Sequence, residues 1–183
     1  MKLRKNLAIL LGATLLLITG CDDTKVVSST DNYIHVGANW ADLGNLKGDE
    51  SYKLTVKSVS DTYKIGDNMS FKVSSKRNGF LYVLYTNQQD KTIWLYPNEL
   101  SGDNTIEKSR TFTVPSKDGA WHIQASGPAG KSLLTFFLFT NDAKAKSFFE
   151  SHDDSAKSYS KDLTVVMKKD DYGVANVVIE VTE

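Results

Sequence analysis

The chain has 183 residues, with 22 basic and 22 acidic side chains, 40% hydrophobic residues and one cysteine. This length is enough for one domain with a sizeable hydrophobic core, and the single cysteine excludes an internal disulfide. The balanced charge implies no basic face, so we expect no nucleic acid among the partners of the protein.

The N-terminus carries the pattern of an export signal. Lys2, Arg4 and Lys5 precede an apolar stretch at residues 7–18, which is typical of a secretory signal peptide. As a helix these twelve residues would span ~18 Å, which is well short of the ~30 Å hydrocarbon core of a membrane. We therefore predict a signal peptide at residues 1–20 and no resident transmembrane helix there.

The signal ends in the sequence LITGC at residues 17–21. This resembles the bacterial lipobox, in which cleavage occurs before a cysteine that already carries diacylglycerol. We predict that Cys21 is lipidated and becomes the first residue of the mature chain; the alternative is a buried apolar cysteine near an ordinary signal. Several acyl chains would hold the protein stably in a bilayer. Because Cys21 is the one cysteine of the sequence, its lipidation would leave the exported domain without a catalytic thiol. The mature chain would be mildly acidic, with 19 basic and 22 acidic residues.

The residues after Cys21 concern sorting and attachment. Asp22 and Asp23 directly follow the cysteine, which resembles the inner-membrane retention signal of enterobacterial lipoproteins; the alternative is a solvated polar tether. We expect a domain in the periplasm, anchored to the inner membrane, with the outer membrane as the alternative. Residues 21–31 are small and polar, which predicts a flexible tether ahead of a single domain at residues 32–183.

The first part of this domain contains short strand signals and a loop. Residues 33–36 are typical of a short edge strand, and glycines then punctuate a loop that carries Trp40. We interpret Trp40 as a lid over one end of the core, with a ligand platform as the alternative. Residues 52–59 alternate between apolar and polar side chains, which predicts a strand near the central hairpins.

The stretch from Tyr63 to Asn98 predicts three consecutive antiparallel strands. Residues 68–75 alternate, and Asn78-Gly79 is typical of a tight two-residue hairpin turn. The fully apolar run at residues 80–85 predicts a central strand covered on both faces, and the strand at residues 92–96 ends at Pro97.

The C-terminal half continues the pattern. We expect strands at residues 110–114, 121–125, 132–140, 163–167 and 174–181, with hairpins around residues 127–130 and 169–173. A short helix after residue 141, capped by Asn141 or Asp142, is also predicted. The expected fold is therefore an all-β antiparallel β-sandwich of about eight to nine strands with that one short helix.

Four short motifs carry a family resemblance: YKIGD at residues 63–67, NGFLYV at 78–83, LYPN at 95–98 and VP at 114–115. Their order and spacing resemble an uncharacterised β-rich domain of bacterial envelope proteins, a domain-of-unknown-function family, over roughly residues 52–139. The resemblance implies a lipoprotein domain, some members of which occur near type VI secretion genes or fused to kinase-like or caspase-like modules. It brings no catalytic residues, and its motifs also fit structural roles, with Gly66 and Gly79 in turns and Tyr82 and Trp94 in the core.

Residues 125–132, ASGPAGKS, satisfy a relaxed phosphate-loop pattern. Such a loop needs a helix after the final serine, with Lys131 reaching the phosphates and Ser132 holding Mg²⁺. The following LLTFFLF is instead typical of a strand, so we favour a glycine-rich hairpin turn and expect no nucleotide and no cofactor.

Other candidate sites are weaker. His35, His122 and His152 are far apart and predict no zinc set, and the aspartate pairs at 153–154 and 170–171 lack the ligand spacing of a calcium loop. The serines have no nucleophile-elbow context, so we expect no hydrolase chemistry. Trp40 and Tyr172 are the candidate partner-binding aromatics.

The function that fits these features best is binding another protein at a membrane. We expect a non-enzymatic, lipid-anchored adaptor or assembly component of an envelope or secretion machine, whose partner is another envelope protein. The alternative is a periplasmic immunity or inhibitor lipoprotein that binds a toxin or an enzyme.

Overall fold

The computed structural model describes residues 25–29, 32–36, 38–101, 103–143, 145 and 172–183, with backbone alone in the first two ranges. Cys21, Asp22 and Asp23, the signal peptide, and the predicted strand at 163–167 lie outside these residues. The strands in the described part are β1 (Lys25–Ser29), β2 (Asn32–Val36), β3 (Thr55–Ser58), β4 (Thr62–Lys64), β5 (Asn68–Met69), β6 (Phe71–Ser74), β7 (Gly79–Thr86), β8 (Thr92–Tyr96), β9 (Thr105–Ile106), β10 (Thr111–Val114), β11 (Ile123–Gln124), β12 (Gly130–Phe139) and β13 (Tyr172–Thr182). A helix, α1 (Ala38–Gly44), and a 3₁₀ turn at Glu50–Tyr52 precede β3.

The main sheet has the strand order β4-β13-β12-β7-β8, and β9 pairs with the start of β7 beyond the end of β8. Its pairings are antiparallel except that of β4 with β13, which is parallel. The apolar run of β12 lies between β7 and β13, so its backbone groups are bonded on both sides. This sheet forms one layer of the molecule.

The second layer consists of two small antiparallel sheets, β10-β6-β3 and β11-β5. Alternate residues of β5 and β6 point inward, so that Met69, Phe71 and Val73 are buried while Lys72 is exposed. They pack against Phe136 and its neighbours on the main sheet, with the rings of Phe71 and Phe136 5.5 Å apart. The predicted all-β antiparallel sandwich is therefore confirmed, with shorter and more numerous strands than expected.

The opposite face of the main sheet is also covered. Tyr82, Leu84, Phe137 and Phe139 form a second buried cluster with Leu43 of α1. Strands covered on both sides need apolar residues at every position. The prediction that residues 80–85 form a central strand covered on both faces is confirmed.

Two predicted hairpins do not form. β6 pairs with β3 and β10, whereas β7 lies in the main sheet, so the residues around Asn78 carry the chain from one layer to the other. Likewise β11 pairs with β5, while β12 pairs with β7 and β13. The turn signals are real breaks in the strands, but the hydrophobic core places the successive strands in different sheets.

Several local expectations also need correction. The strand predicted from Tyr52 begins at Thr55, because Tyr52 ends the 3₁₀ turn and Lys53 has a φ of 43°. The loop expected around Trp40 is α1. Lys25–Ser29, where the sequence predicts a flexible chain, is paired with β2; the role of residues 21–31 as a tether stays a prediction.

The predicted helix after residue 141 begins where expected. Asp142, Ala143 and Ala145 are helical, and the Ala145 N–H donates to the carbonyl of Asn141 at 3.2 Å. Asn141 therefore stands at the N-cap position, since its carbonyl accepts the first helical bond.

Candidate functional site

The outermost strand of the main sheet, β8, is the element around which the candidate site is built. Its sequence TIWLY is rich in β-branched and aromatic residues, which favour an extended backbone. The turn before it is held by the Asn87 carbonyl side chain, which accepts bonds from the N–H groups of Gln89 and Lys91 at 3.0 and 2.9 Å. Among the described strands, β8 pairs only with β7.

Trp94 is fixed in orientation although it reaches the surface. Its indole ring packs edge-on against Tyr82 at 5.5 Å, and its Nε1–H donates to the carbonyl of Pro97. The side chain is nevertheless 40% exposed. The sequence assigns Trp94 to the core, and the structure corrects this: the ring is packed against Tyr82, but the side chain is partly exposed.

Two further aliphatic side chains, one in β8 and one in the loop after it, are exposed. Ile93 is next to Trp94 along the strand and therefore points to the opposite face of the sheet. Ile93 in β8 is 54% exposed, and Leu100 in the following loop is 67% exposed. We call Ile93, Trp94 and Leu100 together the β8 edge surface. Large apolar side chains at a strand edge are unusual on a free surface and typical of a contact with another protein.

The loop after β8 is tied down rather than free. The Tyr96 hydroxyl donates to the Asp103 carbonyl at 2.7 Å, and the Tyr96 ring is stacked on Trp121 at 5.7 Å. Burial, together with the nearby Asp103 charge, raises the pKa of Tyr96. This anchoring holds the segment that carries Leu100 at the end of β8, so part of the ordering cost of binding is already met in the free protein.

Trp40, one of the two predicted partner-binding aromatics, lies in α1 next to the β7–β8 turn. The N–H groups of Asn39 and Trp40 donate to the carboxylate of Asp90, at 2.9 and 2.8 Å. The Trp40 ring is half-buried against the cluster that contains Leu43. Its position fits the lid interpretation, and it borders the same face of the sheet as Trp94.

Tyr172, the other predicted aromatic, is in the core. It is only 5% exposed, packs against Phe137 and Phe139, and burial raises its pKa. Its ring therefore offers no surface to a partner, which corrects its place among the exposed candidates.

The phosphate-loop pattern ends in a strand, as the sequence predicts. Ser132 is fully buried in β12, and its hydroxyl is hydrogen-bonded to that of Tyr85 at 2.9 Å. A serine in this position cannot hold a metal at the mouth of a loop. Within the described ranges, no group of three His, Cys, Asp or Glu side chains is placed to hold a metal ion, and no helix is long and apolar enough to cross a membrane.

Of the histidines and acidic pairs considered in the sequence, the structure describes the side chain of His122 alone. His122 is exposed beside β11, whereas His152 and the aspartates at 153–154 and 170–171 lie outside the described residues, as does the side chain of His35. Sequence reasoning did not find the β8 edge surface. Leu100, an isolated leucine in a polar stretch, is the sequence signal that could have indicated it.

Residues 62–141 match DUF4384, a domain of unknown function. The DUF4384 region runs from β4 to the end of β12 and includes the whole β8 edge surface, but neither α1 nor β13. No curated protein matches the chain.

Proposed function

We propose that this protein is a lipid-anchored, non-enzymatic adaptor that holds another envelope protein through the β8 edge surface. Cys21 provides the acyl anchor, Asp22 and Asp23 favour retention at the inner membrane, and the β domain works in the periplasm. The observation that carries the proposal is the pair of exposed residues Ile93 and Trp94 on a strand that, among the described strands, is bonded on one side only.

The backbone of β8 supports this mode of binding. The Asn87 N–H donates to the Lys91 carbonyl, so the hydrogen-bonded positions alternate from there, and Ile93 bonds to Tyr85. The N–H and carbonyl groups of Thr92 and Trp94 then point away from β7. An extended partner segment adds a strand by bonding to these groups, and its side chains contact Ile93 and Trp94.

The geometry also limits the size of the added strand. The register shifts between Val83 and Leu84, which leaves Leu95 as a bulge, and the strand ends before Pro97. A partner can therefore pair with only three residues of β8, and the rest of the contact falls on Leu100. Three backbone positions with an aromatic anchor suit a reversible adaptor contact.

Site-specific photocrosslinking in the native envelope tests the proposal. A photoreactive residue at position 93 or 100 is expected to capture one discrete partner protein. The matched control is position 65, because Ile65 is a 48% exposed aliphatic residue on another part of the surface. A capture pattern that is the same at all three positions would contradict the proposed surface.

Two substitutions complete the experiment. Ile93→Lys is expected to abolish the crosslink from position 100, whereas Ile65→Lys is expected to leave it unchanged. The two variants are matched because each adds one charge at an exposed position. Cys21→Ala is expected to release the protein from the membrane fraction and to prevent incorporation of labelled palmitate; retention in the membrane would disprove the anchor. A captured secretion or envelope subunit supports the adaptor, and a captured toxin or enzyme supports the inhibitor alternative.

A further inference from the structure

A second surface, on the other layer of the molecule, carries an unusual charge pattern. Across the outer face of the β10-β6-β3 sheet, Lys57 lies directly opposite Lys72, and Lys72 lies directly opposite Thr113. The other outward positions on this face are hydroxyl residues: Thr55, Ser74 and Thr111. We call this set of six residues the lysine face. Two like charges at directly opposed positions destabilise an antiparallel pair.

No acidic side chain neutralises this charge from within the same sheet. The three strands that form it, Thr55–Ser58, Phe71–Ser74 and Thr111–Val114, contain Lys57 and Lys72 and no acidic residue. The ion pair found among the described residues joins Arg110 to Glu107, at 2.8 Å, and involves neither Lys57 nor Lys72. Within the part of the chain that the structure describes, no ion pair neutralises the lysine face, so its positive charge is available to a partner.

A groove of about 610 Å³ continues from the lysine face toward β11. Lys72 contributes to both, and the groove is further lined by Ser70, Ser116, Lys117, Trp121 and His122. Val59, 68% exposed, borders it. Asp118 belongs to the same loop as Lys117 but does not line the groove. This volume is within the range of sites that bind short peptides and other small ligands.

We infer that the lysine face and its groove bind an acidic segment of a partner protein, one that carries carboxylates together with an apolar side chain. Lys57, Lys72 and Lys117 supply the complementary charge, and the hydroxyl residues between them donate hydrogen bonds to carboxylate oxygens. Trp121 and Val59 receive the apolar side chain. The lysine face is on the layer opposite β8, and although Trp121 of the groove stacks on Tyr96 of β8, the groove shares no lining residue with the β8 edge surface. It is therefore a second contact.

The composition of the site favours a peptide over a lipid surface. Val59 is the exposed aliphatic residue of the groove, and one such side chain provides little apolar area for insertion into a bilayer. A groove can hold the side chains of an extended peptide one after another, whereas a membrane presents a broad surface. Binding of an anionic lipid in place of a peptide is therefore an outcome that the test must separate.

The test measures binding of three probes to the full-length protein in neutral detergent micelles. The first is a fluorescent ten-residue peptide of glutamate and serine with a central leucine. The second is the same peptide with glutamine in place of every glutamate. The third is a short-chain phosphatidylglycerol. We expect saturable binding of the acidic peptide alone, weakening as salt is added.

The variants locate the binding. Lys57→Gln with Lys72→Gln is expected to weaken binding of the acidic peptide about tenfold, as for the loss of two charge contacts. The control is Lys64→Gln with Lys91→Gln, which changes the net charge equally at exposed positions elsewhere and is expected to change affinity less than about twofold. Removing two opposed like charges does not weaken the sheet, so the first variant is expected to unfold at the same or a higher temperature than the unmodified protein.

Three results would overturn the inference. If the glutamine peptide bound as tightly as the acidic peptide, charge would not drive the binding. If the Lys64→Gln, Lys91→Gln control lost as much affinity as the lysine-face variant, the binding would not be located at the lysine face. Binding of phosphatidylglycerol without the acidic peptide would assign the face to a lipid surface instead. Ile93→Lys is expected to leave the peptide affinity unchanged, so failure of the adaptor proposal and failure of this inference are distinguishable.

Discussion

Gly79 begins β7 at a point where two strands come very close. A Cβ atom at this position would lie 2.5 Å from the carbonyl oxygen of Phe139 and 2.9 Å from a side-chain carbon of Leu138. Real Cβ atoms do not approach backbone oxygen so closely, so the main sheet would have to shift to admit a side chain. The requirement for glycine comes from this contact between β7 and β12.

We expect Gly79→Ala to destabilise the protein by about 3 kcal/mol, because backbone atoms rather than a flexible side chain must move. Gly66→Ala is the matched comparison: Gly66 has a φ of 97° and no atom within 4 Å of an added Cβ. That substitution adds conformational strain alone, about 1 kcal/mol. Urea unfolding of both variants measures the two costs, and a larger cost at Gly66 would contradict the close-contact explanation.

The sequence alone explains Gly79 differently. Asn78-Gly79 between two apolar strands is a strong hairpin signal, and it predicts a glycine chosen for positive φ. The sequence pattern singles out Gly79, but glycine is required there because of the contact with Phe139, sixty residues away along the chain. Contacts of this kind depend on the pairing of distant strands, which a local pattern does not contain.

Helix α1 is the element with the least stability of its own. It has seven residues, no acidic residue in its first turn and no basic residue in its last turn, and a helix this short does not persist alone in water. Its ends are instead bonded to the sheet. Asp90 accepts from two N–H groups at the start, and the Asn176 side-chain amide donates to the carbonyl of Leu43 at 3.0 Å.

We expect Asp90→Asn to loosen α1, because asparagine keeps the positive φ of this turn residue but replaces one acceptor oxygen with an NH₂ group. The expected cost is about 1 kcal/mol, with faster hydrogen exchange at the amides of Asn39 and Trp40. Asp42→Asn, a substitution of the same type within α1 itself, is the control and is expected to leave exchange at these amides unchanged. Equal exchange in the two variants would show that Asp90 does not hold the helix.

Single strands were predicted better than the pairing between strands. Alternation correctly identified the inward and outward residues of β6, and the uninterrupted apolar run correctly identified β7 as covered on both faces. Residue alternation depends on the local backbone, which the sequence determines strongly. The choice of partner strand depends on how the whole core packs. For this reason the hairpins predicted at Asn78-Gly79 and at residues 127–130 were wrong and α1 was missed.

Protonation couples the stability of the whole molecule to alkaline pH. Burial raises the pKa values of Tyr82, Tyr96 and Tyr172, with a nearby aspartate adding to the effect for the first two. The neutral phenols therefore favour the folded state. Their contribution is complete below the unfolded-state pKa of about 10 and is lost as the pH rises above it toward the folded-state values.

We expect the free energy of unfolding to fall as the pH rises above about 10, and Tyr172→Phe to reduce that slope. Tyrosinate absorbance of the folded protein provides the second measurement. Tyr82, Tyr96 and Tyr172 are expected to ionise above the ordinary tyrosine pKa. If these three ionised near the ordinary pKa, the proposed effect of burial would be wrong.

Whole-chain composition does not describe how charge is distributed over the surface. Equal numbers of basic and acidic residues suggested that no basic face exists, but net charge is a sum that contains no positions. The sequence does hold the signal at a finer scale, in three strands without a single carboxylate. Only the register, which sets Lys57 opposite Lys72, shows that part of this charge lies on one face.

The placement of β13 affects how the chain is made. This strand lies inside the main sheet, bonded to β12 on one side and to β4 on the other. The chain must therefore be made as far as residue 182 before the sheet can close. Until then β12 exposes an unpaired, strongly apolar edge, which other unfolded chains can pair with and which chaperones that bind such edges would protect.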